Sequence, residues 1–237
     1  MAEVPDEVRN RLALVLDVDD LVEAARLAHE LQPWFGVVKV GLELFSAAGP
    51  DAVVALADLG FKVFVDLKLC DIPTTVGRAA RVLGGLGASY LTMHAFGGPV
   101  MLRAGAEGLA EGAADAELPA PTALAVTILT SDDGAPPHVL GSRVRSALEG
   151  GCGGIVCAAA DVAEAKRLGP RLFAAVPGIR LRGADTDDQA RAATPQAAAA
   201  NGADLLVVGR TVTRAENRAE AAAAVAAAVA AAVVAST

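Results

Sequence analysis

The sequence predicts a (β/α)8 barrel, with residues 1–237 forming one domain. Three observations carry this expectation. Short apolar runs alternate with helical patterns along the chain, as in a parallel sheet with helical crossovers. Eight such units fit into 237 residues, a length that suits one closed barrel. Polar residues gather at the C-terminal ends of the apolar runs, and in a barrel those ends form a single face that holds the active site. An open doubly wound sheet is the alternative, but no Gly-x-Gly-x-x-Gly turn follows the first strand.

The first apolar run, 12–16, is closed by Asp17 and followed by a helical pattern over 19–32. The second, 37–40, carries Lys39 near its end and precedes a helix over 43–59. The third, 62–65, leads directly into Asp66 and Lys68, and Pro73 suits the first turn of the next helix, 73–86. The fourth, 90–93, ends at His94 before a helix over 98–113. The fifth, 123–128, ends in the polar stretch 127–131, with a helix at 140–149. The sixth and seventh, 154–156 and 172–176, precede helices at 160–168 and 194–201. The eighth, 204–208, is followed by Gly209-Arg210 and a helix over 215–234. The two longest irregular connections, 130–140 and 178–194, have the length expected of lids.

The bulk composition limits the partners. Hydrophobic residues make up 54% and charged residues 20%, enough for a large core. The net charge of −8 argues against nucleic acid, because an acidic surface repels a phosphodiester backbone. Cys70, Cys152 and Cys157 form no Cys-x-x-Cys pair, which disfavours a disulfide framework or a zinc site and fits a reducing cytoplasm. The N-terminal residues have neither the basic nor the apolar region of a signal peptide. The longest apolar stretch, 221–235, is mostly alanine and shorter than a membrane span; it reads as a helix of high propensity lying against other elements.

Side chains alternate along a strand, so Asp66 and Lys68 should share a side. Lys39 can join them from the neighbouring strand, and Asp71 follows at the strand's end. A set of charges at a barrel mouth reads either as a structural ion-pair network or as catalytic machinery. Desolvating so many charges is costly unless something uses them. Neighbouring carboxylates favour a protonated lysine, so Lys68 reads as a general acid and not as a Schiff-base nucleophile. At the other end of the site, Gly209 and Arg210 follow strand eight, where barrels commonly bind phosphate, and Arg210 offers a planar fork matched to phosphate oxygens. The turn ending in Arg180 lies on the same face. His94 reads more naturally as a hydrogen-bonded structural residue than as a base, and no His/Glu cluster has metal-ligand spacing.

The stretch Asp66-Leu-Lys68-Leu-Cys-Asp71-Ile-Pro73-Thr-Thr75 closely resembles the Asp-x-Lys-x-x-Asp-Ile-Pro-x-Thr signature of the orotidine 5'-monophosphate decarboxylase family. Leu16-Asp17, Lys39-Val-Gly41, Thr130-Ser131, Pro177-Gly-Ile-Arg180, Asp188-Gln189 and Gly209-Arg210 occur in the order of its bacterial branch. The resemblance implies decarboxylation of a nucleotide without metal or organic cofactor. It implies that Lys68 protonates C6 of the pyrimidine, that Asp66 stands against the departing carboxylate, and that Lys39 pairs with Asp66 and the ribose. It further implies that Asp17 binds a ribose hydroxyl, that Thr130 lies beside the pyrimidine, and that Arg180, Gln189, Gly209 and Arg210 hold the phosphate. Asp71 and Thr75 are implied to serve the neighbouring subunit's site in a homodimer. Two positions depart from the pattern: Cys70 stands where histidine is usual, and Leu181 where proline is common. Metal-dependent sugar-phosphate lyases or decarboxylases share the strand-three motif, but they resemble one another in carrying a glutamate where this chain has Lys39. A barrel that binds a nucleotide without turnover is a further alternative.

Overall fold

The computed structural model describes residues 4–132, 134–181 and 191–235, and of residues 234 and 235 only the backbone. After a one-turn helix α1 (Asp6–Arg9), strand β1 (Leu12–Leu16) leads to α2 (Leu21–Leu31), and β2 (Val37–Val40) to α3 (Leu42–Ala48) and α4 (Asp51–Asp58). Strand β3 (Lys62–Leu69) leads to α5 (Pro73–Gly85), and β4 (Ala88–His94) to α6 (Gly98–Asp115). Strand β5 (Thr122–Val126) precedes α7 (His138–Glu149), and β6 (Gly154–Val156) precedes α8 (Val162–Leu168). Strand β7 (Phe173–Val176) precedes α9 (Pro195–Ala200), and β8 (Leu205–Val208) precedes α10 (Arg210–Thr213) and α11 (Arg218–Ala235). All strand pairs are parallel, neighbours pair in chain order, and β8 closes on β1. The architecture is the expected (β/α)8 barrel.

Strand alternation divides the core in two. Outward residues such as Leu14, Val38, Val65, Leu91 and Val176 pack under the helices. Inward residues, among them Val15, Phe64, Val126, Val156 and Val207, fill the bore. Tyr90 reaches across the bore between two rings, edge-on to Phe64 at 6.0 Å and stacked on Phe173 at 5.4 Å. The bore is therefore packed, and the cavity that holds the charged residues lies at its C-terminal mouth.

The elements depart from the sequence expectation where local chemistry overrides periodicity. The single helix expected at 43–59 is two, because Gly49 takes a left-handed φ of 61° that ends α3 and Pro50 lacks an N–H to continue it. Strand β3 continues past Val65 to Leu69, through the charged residues that interrupt its apolar pattern. The alanine-rich stretch does form a helix, and Ala222, Val225 and Val229 are buried.

Helices α5 and α6 pack along a seam of glycines. A Cβ on Gly112 would stand 1.9 Å from the Arg81 carbonyl oxygen, one on Gly108 2.2 Å from that of Gly77, and one on Gly84 2.2 Å from that of Leu109. Each obstacle is backbone, which cannot swing aside. Gly112→Ala is therefore expected to destabilise the fold by about 2 kcal/mol, despite alanine's helix-propensity advantage of about 1 kcal/mol. Gly141 in α7 supplies the opposite case, since its Cβ would first meet Leu168 at 3.8 Å; Gly141→Ala should stabilise by roughly 0.5–1 kcal/mol. Urea denaturation of both variants checks the signs, and a stabilised Gly112→Ala would contradict the packing argument.

Candidate active site

A cavity opens at the C-terminal mouth of the barrel. Its floor is apolar, formed by Val15, Phe64, Val126, Val156 and Val207. On the side of β1 to β3 it is lined by Asp17, Lys39, Asp66 and Lys68, and from the loops after β5, β7 and β8 by Thr130, Arg180, Gly209 and Arg210.

The charges form a chain. Lys39 Nζ lies 3.4 Å from Asp17 and 3.6 Å from Asp66, and Lys68 Nζ lies 2.9 Å from Asp66. Its middle is the most buried part: exposure is 58% for the Asp17 side chain, 11% for Lys39, 14% for Asp66 and 34% for Lys68. Burial alone would raise the Asp66 carboxyl. The positive charges of Lys39 and Lys68, with hydrogen bonds from Lys68 and Thr92, outweigh it and hold that carboxyl below the usual carboxylate range. Gly41 makes room for this arrangement, since a Cβ there would stand 2.7 Å from Lys39 Nζ.

Alternation along β3 brings Asp66 and Lys68 to the same cavity, but the ladder to β4 is irregular there. Val65 pairs with Leu91 on β4, yet the next pair is Leu69 with Met93. Three residues of β3 thus face one residue of β4, and Lys68 takes a left-handed φ of 50°, uncommon for a residue with a Cβ. Its side chain returns onto Asp66, with Nζ 2.9 Å from each carboxylate oxygen. The β4 residue opposite, Thr92, donates its hydroxyl to Asp66 Oδ1 at 2.9 Å and accepts the Lys68 N–H at 2.9 Å.

The opposite wall is tied to the ends of the loop after β7. The Arg180 N–H donates to the Ala193 carbonyl at 2.9 Å, and the Ala193 N–H donates to that of Gly178 at 3.0 Å. Arg180 is buried and its guanidinium donates to the Ile179 carbonyl at 3.0 Å. That same carbonyl accepts the Thr211 hydroxyl at 2.8 Å, which couples the β7 and β8 loops. A Cβ on Gly209 would make only ordinary contact with Val15 at 3.4 Å, so close packing within the chain is not what selects glycine there. Gln189, expected in this wall, lies outside the described residues, as does Asp188.

Within one chain Asp71 does not join the array. Asp71 and Thr75 are exposed and do not line the cavity, and the Asp71 carboxylate accepts the N–H of Ile72 at 2.6 Å. His94 is structural in its bonding: Nδ1 accepts the Phe96 N–H at 3.3 Å, while burial, then Arg143 and Lys68, lower its pKa. Burial pushes the thiols of Cys152 and Cys157 up to about 12, which leaves them inert near neutrality. Among the described residues, no three His, Cys, Asp or Glu are placed to hold a metal ion, and Asp17 and Asp66 are each committed to a lysine. Sequence reasoning missed Thr92 and gave Gly41 no role. Thr92 lies inside an apolar run, and only the register break identifies it.

Because the Asp66 pKa is lowered in the folded chain, ionised Asp66 stabilises the fold above its unfolded value of about 4. That contribution is lost as pH falls through the folded value. Thermal melting should show Asp66→Asn less stable than the parent at pH 7, with the gap closing below about pH 4. A gap that stays constant down to pH 3 would show that Asp66 does not gain from its lysines.

Comparison with known proteins places this site in a family. The family model described as orotidine 5'-phosphate decarboxylase / HUMPS matches residues 10–225. An orotidine 5'-phosphate decarboxylase of Moorella thermoacetica is 42% identical over 219 residues, 87% of each chain. Another, from Anaeromyxobacter sp. (strain K), is 44% identical over 216 residues, covering 86% of this chain and 92% of the relative. The crystal structure of orotidine 5'-phosphate decarboxylase from Lactobacillus acidophilus superposes with a TM-score of 0.78 at 31% identity, over 93% of this chain and 99% of that one. The barrel, the charge chain on β1 to β3 and these matches lead to one conclusion: the chain belongs to the orotidine 5'-phosphate decarboxylase / HUMPS family.

Proposed function

We propose that the chain converts orotidine 5'-monophosphate to uridine 5'-monophosphate and CO2 in de novo pyrimidine biosynthesis, without metal or organic cofactor. The observation that carries this reading is the Lys39–Asp66–Lys68 array at the rim of an apolar floor. In the reaction, the bond between C6 and the carboxylate breaks, CO2 leaves, and the electron pair remains on C6. Lys68 Nζ gives its proton to C6 and is later reprotonated from water. No adjacent π acceptor takes that electron pair, so fixed charge must stabilise it. Two carboxylates about 4 Å apart repel by roughly 4 kcal/mol at an effective dielectric near 20. Very slow reactions need on the order of 20 kcal/mol, so repulsion from Asp66 is a minor contribution and the ammonium of Lys68 matters more.

In this reading Asp66 stands against the departing carboxylate, Lys39 and Asp17 meet the ribose, and Thr130 lies beside the pyrimidine. Arg180, Gln189, Gly209 and Arg210 hold the phosphate, whose binding energy is spent at the distant reacting carbon. The chain acts as a single domain in the cytoplasm, and no described helix is long and apolar enough to cross a membrane. It works as a homodimer in which Asp71 and Thr75 complete the partner's site. Support comes from their exposure and from large exposed apolar residues, Ile72 beside Asp71 and Phe96 and Val100 after β4.

The direct test follows the absorbance of orotidine 5'-monophosphate with and without EDTA. Turnover should be unaffected by the chelator; its loss would favour a metal-dependent relative. Lys68→Ala should fold and lose at least a hundredfold in kcat, and activity within tenfold of the parent would remove Lys68 as the proton donor.

Shared sites make a second prediction. Homodimers of Lys68→Ala or of Asp71→Asn carry two damaged sites each. In a mixed dimer one site takes both substitutions and the other takes neither, by two-fold symmetry. Purified heterodimers should therefore regain up to one working site. Heterodimers as inactive as both parents would place Asp71 in its own chain's site.

A further inference from the structure

Thr92 is fully buried, so it cannot touch a substrate in the cavity. A buried hydroxyl must still satisfy its hydrogen-bonding groups. Its two bonds have a fixed sense. The Lys68 backbone N–H can only donate, so the Thr92 oxygen accepts it, and the Thr92 proton is left to point at Asp66 Oδ1. Lys68 Nζ then contacts the same carboxylate. The result is a closed ring: Thr92 to Asp66, Asp66 to the Lys68 ammonium, and the Lys68 backbone back to Thr92.

We propose that Thr92 is a positioning residue whose hydroxyl anchors both members of the Asp66–Lys68 pair, orienting the carboxylate and holding the Lys68 backbone in its left-handed turn. The register break makes this single anchor necessary. Between Leu91 and Met93, Thr92 alone faces residues 66–68, so the regular ladder cannot supply the bond that the Lys68 N–H needs. The hydroxyl supplies it instead. Left-handed residues with a Cβ persist only where their surroundings over-determine them, and here the tip of the lysine is held by Asp66 directly and its backbone through the Thr92 oxygen. Valine at this position keeps the shape of threonine and removes both bonds. Serine keeps both bonds and removes only a methyl.

The kinetic consequence rests on the decarboxylase reading; the anchoring itself does not, and the experiment separates the two. Carbon-13 NMR of labelled aspartate carboxylates, with the Asp66 signal assigned through Asp66→Asn, follows the titration of Asp66 in the parent, Thr92→Val and Thr92→Ser without substrate. Thr92→Val should move the Asp66 midpoint upward, and Thr92→Ser should return it towards the parent. With orotidine 5'-monophosphate, Thr92→Val should lower kcat by roughly tenfold to a hundredfold, the worth of a hydrogen bond to a charged group, with a smaller change in KM. Serine should recover most of that loss. Should valine not fold, Thr92→Ala, which can only shrink the side chain, carries the same expectation. An Asp66 titration unchanged by loss of the hydroxyl, or serine behaving like valine, would overturn the proposal. A parent that titrates and responds as described but does not decarboxylate the nucleotide would leave the anchor standing and sink only the decarboxylase reading.

Discussion

Asp66 is a nearly buried carboxylate, and the mouth of the barrel is arranged around keeping it charged. Removing an isolated carboxylate from water costs several kcal/mol even after the protein relaxes. Here Lys39, Lys68 and the Thr92 hydroxyl offset that cost together. Lys39 is itself buried and leans on Asp17, which reaches towards solvent. The two inner charges, Lys39 and Asp66, are thus flanked by the more exposed Asp17 and Lys68. Removing any one leaves a neighbour buried and under-compensated, which costs more than the intact pair returns. Gly41 belongs to the same arrangement, because a side chain there would occupy the place of the Lys39 ammonium.

The same constraint shapes the backbone. A regular strand would carry Lys68 onward along the barrel wall. The three-against-one register at Thr92 and the left-handed turn at Lys68 bend the lysine back onto Asp66 instead. A left-handed residue with a Cβ costs on the order of 1 kcal/mol, a cost borne here where the surroundings hold the residue in place.

Much of this was legible in the sequence. Apolar runs located all eight strands of the barrel, because strands covered on both faces read as continuous hydrophobic stretches. Asp17, Lys39 and Asp66 stood out as polar residues at strand ends, and Thr130, Arg180, Gly209 and Arg210 line the same cavity. Other features were not legible, for physical reasons. The apolar pattern of β3 stops at Val65, short of the strand's end at Leu69, because periodicity cannot distinguish charged residues held in a strand from a loop. Thr92 was hidden because a threonine within a strand is ordinary, and its role exists only through its partners on β3. The helical pattern runs on across Gly49 and Pro50, where the helix breaks, although both residues are standard helix terminators. The part proposed for Asp71 and Thr75 would depend on an interface between two chains, which the fold of one chain does not contain.

The glycine seam between α5 and α6 has a consequence for association. Helix α5 begins at Pro73, just beyond Asp71, and carries Thr75 in its first turn. With no side chains between the two backbones at Gly84, Gly108 and Gly112, α5 has little freedom to slide or roll against α6. The exposed turn that holds Asp71 and Ile72 is therefore mounted on a stiff support and ordered before it meets anything. A surface held in one form before docking loses little entropy on docking, so in the proposed homodimer rigidity built into the fold of one chain would lower the entropic barrier to pairing two.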